Sequence, residues 1–126
     1  MLRAVAILFG IALLTMGVMG FVPSAMPDGL LLGHFQVNLA HNFIHIITGM
    51  IALLAGFSGR LSSLWFFRIF GIIYALFALH GLVYGDAPIL GIVSNNAADT
   101  WLHASIAIFS LLIGFGCCCH SCKTER

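Results

Sequence analysis

The sequence predicts an all-α, polytopic membrane protein of four transmembrane helices formed by a tandem two-helix repeat. Three observations predict it. Hydrophobic residues make up 61% of the 126 residues and charged residues 7%, too little polar surface for a soluble domain this small. Four mostly apolar stretches, about 2–22, 38–57, 64–84 and 99–117, approach the roughly 20 residues that carry a helix across a bilayer. The halves also align without a gap around one motif, Asn38-x-x-His41-x-x-x-His45 against Asn96-x-x-Asp99-x-x-x-His103. A chain of this length has room for a single domain, 1–126, with repeats at about 1–59 and 60–117 and a short tail at 118–126.

The first stretch begins after Arg3 and is followed by Ala25, the pattern of a secretory signal peptide. Its apolar run is longer than a signal core, and it matches the third stretch through Phe9-Gly10-Ile11 against Phe70-Gly71-Ile72. It is therefore expected to be a retained span. The second and fourth stretches match through Leu53-Leu54-x-Gly56-Phe57 and Leu111-Leu112-x-Gly114-Phe115. Two hairpins of two spans each keep the same topology. The predicted relation between them is a pseudo-twofold axis along the membrane normal.

The connections carry turn residues. Pro23, Pro27, Asp28 and Gly29 open the first, and Gly85-Asp86-Ala87-Pro88 opens the third. Neither contains Lys or Arg. Arg3, Arg60, Arg68, Lys123 and Arg126 all fall on the opposite side. The positive-inside rule makes that side cytoplasmic, with both termini there and the sequence's place the cytoplasmic membrane.

Steps of three and four put Asn38, His41, His45, Gly49, Ala52 and Gly56 on one face of the second helix. Asn96, Asp99, His103, Ala107, Ser110 and Gly114 share one face of the fourth. Small residues allow close backbone approach in lipid. The expectation is that the second and fourth helices meet along these faces, flanked by the first and third through Gly10, Gly17 and Gly20, and Gly71, Ala78 and Gly81.

Polar side chains within apolar spans are costly, so their duplication needs a reason. His41 and His45 stand four apart, a spacing that lets two imidazoles reach one ion. Asp99 and His103 repeat it with one carboxylate. Opposed faces would give a three-nitrogen, one-oxygen site for zinc, iron, copper or manganese, with Asn38, Asn96 and His80 as supporting residues. Three alternatives stay open: a structural polar network in which Asn38 and Asn96 cap their helices, haem between His45 and His103, or quinone at the same face. The few buried charges leave no proton relay through the inner half.

The tail Cys117-Cys118-Cys119-His120-Ser121-Cys122 offers Cys119 and Cys122 as a possible soft-metal pair. Adjacent juxtamembrane thiols also suit S-palmitoylation, and the plainest reading is an apolar helix end followed by a short tail. The near-zero net charge of +1 excludes nucleic-acid binding. The sequence contains no nucleophile elbow, phosphate loop or paired acidic motif, so a non-enzymatic binding or accessory protein is expected rather than an enzyme.

From about Phe35 onward, Asn38-x-x-His41-x-x-x-His45-x-x-Thr48-Gly49 with Asn96-x-Ala98-Asp99-x-x-x-His103 resembles the small four-span bacterial proteins catalogued as Domain of Unknown Function 4383. That resemblance implies a bacterial cytoplasmic-membrane protein without an assigned activity. The cysteine-rich tail departs from the family's pattern. Expected partners are the lipid bilayer and either other membrane proteins or further copies of the chain.

Overall fold

Inside a bilayer every backbone N–H and C=O needs a partner within the segment, and an unbroken helix supplies it. The computed structural model describes residues 1–116, and the expectations placed on Cys117, Cys118, Cys119, His120 and Cys122 lie outside the described residues. Four helices account for most of it: α1 (Leu2–Met19), α2 (Leu39–Ser58), α3 (Arg60–Tyr84) and α4 (Ala97–Gly116). All four are long and apolar enough to cross a membrane, and 22–39% of each span is buried within the protein. Much of the remainder, including Leu8, Leu54, Leu76 and Leu112, is exposed on the outside of the bundle. A sheath of that kind is stable only against lipid, so this is a multi-pass membrane protein.

The helices pair as hairpins, α1 on α2 and α3 on α4, and α3 joins the two by lying against α2 and, more lightly, α1. Between α2 and α3 the turn is a single residue, Gly59, at φ 145°. That conformation favours glycine over any side-chain-bearing residue. Ser63 Oγ then donates to Gly59 O at 2.9 Å and steadies the new helix. The third helix consequently starts four residues before the expected Leu64, at Arg60.

The other two connections resemble each other in detail. After short 3₁₀ turns at Pro23–Ala25 and Pro27–Gly29, Leu31 pairs with Phe35 in a tight loop with Leu32 at φ 54° and Gly33 at φ 75°. In the later connection Ile89 pairs with Val93, with Leu90 at φ 53° and Gly91 at φ 71°. Leu31 and Ile89 tuck inward and are buried. Apart from these isolated bridges, the described residues contain no strand.

The close helix contacts differ from the expectation that α2 and α4 meet along their small faces. A methyl group on Gly49 would lie 2.8 Å from Leu14 N and 2.9 Å from Gly10 O, so this face of α2 is spent on α1. Gly114 of α4 likewise abuts Arg68 N of α3, at 2.9 Å from such a methyl. The reason is reciprocal smallness. Gly10 and Gly17 stand opposite Gly49 and Asn42, so α1 can approach α2 more closely than α4 can. The centre of the bundle is instead filled by α3, whose Phe66, Phe67, Phe70 and Tyr74 cluster with Ala6, Leu13, Ala52 and Ala107. Phe9 of α1 meets Phe67 and Phe70 edge-on, at 5.8 and 5.3 Å between ring centroids.

At the end that holds Gly59, arginines reach backbone carbonyls of neighbouring helices. Arg3 donates from Nε to Gly56 O at 3.0 Å, and Arg68 from Nε to Gly114 O at 2.7 Å. Gly56 lies in the last turn of α2, at the negative end of the helix dipole, so a guanidinium there is favourable. The polar residues singled out by the sequence lie at the opposite end.

Candidate functional site

The site begins with two helix starts. Asn38 precedes α2 in an extended conformation, and its Oδ1 accepts from His41 N at 2.9 Å. Asn96 does the same for α4, accepting from Asp99 N at 2.9 Å. These are N-caps, the role for which a short carbonyl side chain is best suited. Asp99 reciprocates, its Oδ2 accepting from Asn96 N at 3.0 Å, which completes a capping box. The same Oδ2 accepts from Gln36 N at 3.0 Å and so ties the first outer loop to α4.

His41 occupies in α2 the position that Asp99 occupies in α4, and it also serves the loops. A carbonyl can only accept, so the contact of 3.2 Å between His41 Nδ1 and Gln36 O fixes Nδ1 as the N–H of that ring. Ser94 Oγ donates to the same Gln36 O at 3.0 Å. The cross-links continue through the asparagine amides, Asn38 Nδ2 to Ile92 O at 2.8 Å and Asn96 Nδ2 to His34 O at 2.9 Å. This outer layer is a hydrogen-bonded network that ties the two loops to both helix starts.

One turn further in, at His45 and His103, the character changes. His45 sits about 10 Å below the start of α2 at the helical rise of 1.5 Å per residue. His41, His45 and His103 are buried, at 2%, 4% and 3% exposure. They come together, with one ring nitrogen from each within 4.8 Å of the others. Ring centroids lie 4.6 Å apart for His41 and His45, and 5.9 Å for His41 and His103. Tyr74 and Phe77 of α3 wall the set, their rings 5.2 and 5.8 Å from that of His103. Among the described residues, the buried side-chain atoms without a hydrogen-bond partner are Nδ1 of His45, Nδ1 of His103, Oδ1 of Asn42, Oδ1 of Asn95 and Oγ of Ser110, and the two ring nitrogens belong to this one cluster. A buried polar atom without a partner costs roughly 1–3 kcal/mol, so two in one cluster require an explanation.

The structure thus brings together three of the four ligand candidates. Asp99 is the exception, since its carboxylate is turned to the backbone N–H groups of Gln36 and Asn96. His80 is also apart from the cluster. Its Nε2 donates to Ala87 O at 3.2 Å and its ring lies against Tyr84 at 4.9 Å. Asn38 and Asn96 act as helix caps and not as second partners to the histidines.

Several participants escaped sequence reasoning. Asn95 is fully buried and donates to Gly85 O at 3.2 Å and Thr100 Oγ1 at 3.1 Å. Asn42 is buried against Gly20, where it fills the space a side chain would take. Tyr74 lies on the buried face of α3, and a tyrosine in an aromatic-rich span gives no sign of its partner. For Asn95 the adjacent run Ser94-Asn95-Asn96 was the available signal, but such a run reads equally well as plain loop.

The described residues hold a compact trio of buried imidazoles, partly without hydrogen-bond partners, roofed by a structural polar layer. No curated protein and no solved structure matches this chain. The family model described as a domain of unknown function, DUF4383, matches residues 3–116 and so takes in all four helices, and the chain belongs to that family.

Proposed function

We propose that this protein is a non-enzymatic membrane protein that holds one transition-metal ion through His41, His45 and His103. The observation that carries this reading is the pair of partnerless ring nitrogens, on His45 and His103, inside a group whose donor atoms already lie within 4.8 Å. An ion would accept the lone pairs that nothing else takes. His41 adds the usual support of a ligating imidazole, its far nitrogen bonded to a backbone carbonyl so that the other is free to ligate. Asp99 and His80 are not ligands in this proposal.

The site lies at the end away from Arg3, Arg60 and Arg68, and the positive-inside rule makes that end extracytoplasmic with both termini inside. We take the two hairpins, about 1–59 and 60–117, as a duplicated unit related by a pseudo-twofold axis along the membrane normal. The matching caps of Asn38 and Asn96, and the matching turns at Leu32-Gly33 and Leu90-Gly91, support it. In that arrangement Asp99 is the copy of His41 that kept the cap and lost the imidazole.

Haem between His45 and His103 is less well supported. With His41 in the same cluster and Tyr74 and Phe77 against His103, no slot of macrocycle width separates the two rings. Elemental mass spectrometry on tag-free protein purified in detergent tests the proposal. Near-stoichiometric transition metal is expected. Metal at trace level throughout would leave the trio as part of the structural network.

A further inference from the structure

We propose that the ion in this site is monovalent copper, three-coordinate, in preference to a divalent ion such as zinc. The inference rests on the tri-histidine reading above and adds the identity of the ion.

The first argument is charge. Among the described residues the donor set is three imidazoles, with no carboxylate among them. Asp99, the acid nearest in sequence, gives its Oδ2 to two backbone N–H groups. An ion bound here therefore keeps its full charge among ligands that are each at least 96% buried, given exposures of 2%, 4% and 3%. The cost of taking an ion out of water rises with the square of its charge, so a divalent ion meets four times the penalty of a monovalent one. Zinc on three imidazoles offsets that penalty with a bound hydroxide in the fourth position, and closed zinc sites use thiolate ligands.

The second argument is coordination number. Structural zinc takes four protein ligands, and catalytic zinc completes three with a water molecule. Here three nitrogens converge, and aromatic rings border the set, Tyr74 at 5.2 Å and Phe77 at 5.8 Å from the His103 ring. Monovalent copper has a filled d shell, accepts imidazole, and is satisfied by three donors in a plane. Bonds of about 2 Å to such an ion place its nitrogens about 3.5 Å apart. Binding therefore draws together three donor atoms that lie within 4.8 Å of one another.

The partnerless Nδ1 atoms of His45 and His103 provide the independent mark of a ligand. Neither atom has a hydrogen-bond partner among the described residues. His41 contributes through Nε2, because its Nδ1 hydrogen is engaged by Gln36 O.

The test uses the full chain with Cys117, Cys118, Cys119 and Cys122 replaced by serine, which removes the competing tail thiols. The protein is stripped of metal in detergent. It is then loaded either with copper under ascorbate and without oxygen, or with zinc, desalted, and assayed for metal per chain. About one copper per chain is expected, with zinc at least tenfold lower and an X-ray absorption edge typical of three-coordinate monovalent copper. Zinc retained at or above the level of copper overturns this inference and leaves the metal-binding reading standing. Retention of neither metal overturns both. A four-coordinate copper spectrum overturns the trigonal assignment even if copper is retained.

Discussion

Asn38 and Asn96 hold each other's loops. Asn38 donates from Nδ2 to Ile92 O at 2.8 Å and Asn96 from Nδ2 to His34 O at 2.9 Å, while each Oδ1 caps its own helix. One residue type at one helix position thus performs two tasks, and the two halves of the chain are joined by exchange at the end where the histidines sit. A helix cap contributes about 1 kcal/mol and a further hydrogen bond about as much. Asn38→Ala and Asn96→Ala are each predicted to lower stability in detergent by about 1–2 kcal/mol. The replacements by Asp keep the acceptor and lose the donor, and should recover roughly half. Unfolding curves of the four variants check the ranking.

Asp99 is predicted to matter for folding and not for the ion. Its Oδ2 accepts two backbone N–H bonds, from Gln36 and Asn96, and Asp99→Ala leaves both donors without that partner. A loss of about 2–3 kcal/mol follows, with metal per chain within twofold of the parent in whatever fraction remains folded. A metal content that fell with the carboxylate would return Asp99 to the ligand set.

How much of this was legible in the sequence divides along physical lines. Helical spacing gave the faces, because burial on a helix repeats every three or four residues. The buried residues of α2 are His41, Asn42, His45, Gly49, Ala52 and Gly56, and the sequence face differs only in naming the cap Asn38 where Asn42 is buried. Spacing says nothing about which neighbour a face meets. Gly49 and Gly56 therefore looked equally suited to α4 as to α1, and the choice lay in the complementary glycines of α1. The role of Asp99 was hidden for a similar reason. An acid three residues after Asn96 fits a capping box as well as a ligand pair, and the position of Gln36, far away in sequence, decides between them.

The glycines at the α1–α2 contact give a prediction with an internal control. A methyl on Gly10 would lie 2.8 Å from Gly49 O, and one on Gly49 would lie 2.8 Å from Leu14 N, both backbone atoms that cannot step aside alone. Gly10→Ala and Gly49→Ala are each predicted to cost about 1–3 kcal/mol through forced separation of the helices. Gly116→Ala, where such a methyl meets no atom of the described residues within 4 Å, should be within about 0.5 kcal/mol of the parent. Thermal unfolding in one detergent compares the three.

The ion, if it links α2 to α4, should also stabilise the fold, since binding to the native state alone adds to its stability by mass action. At a free ion concentration of about 100 times the dissociation constant the gain is about 2.7 kcal/mol. Chelation should therefore lower the unfolding midpoint of the parent. It should leave a His45→Ala, His103→Ala double variant unmoved.

The most direct measurement is metal per chain in the serine-tailed protein carrying His103→Ala alone. His103 is the ligand that α4 supplies, while His41 and His45 remain as an adjacent pair on α2. A site shared between the two helices predicts at least a tenfold fall in bound metal, with the helical spectrum of the protein retained. Metal held at the parent level by the α2 pair alone would contradict the account.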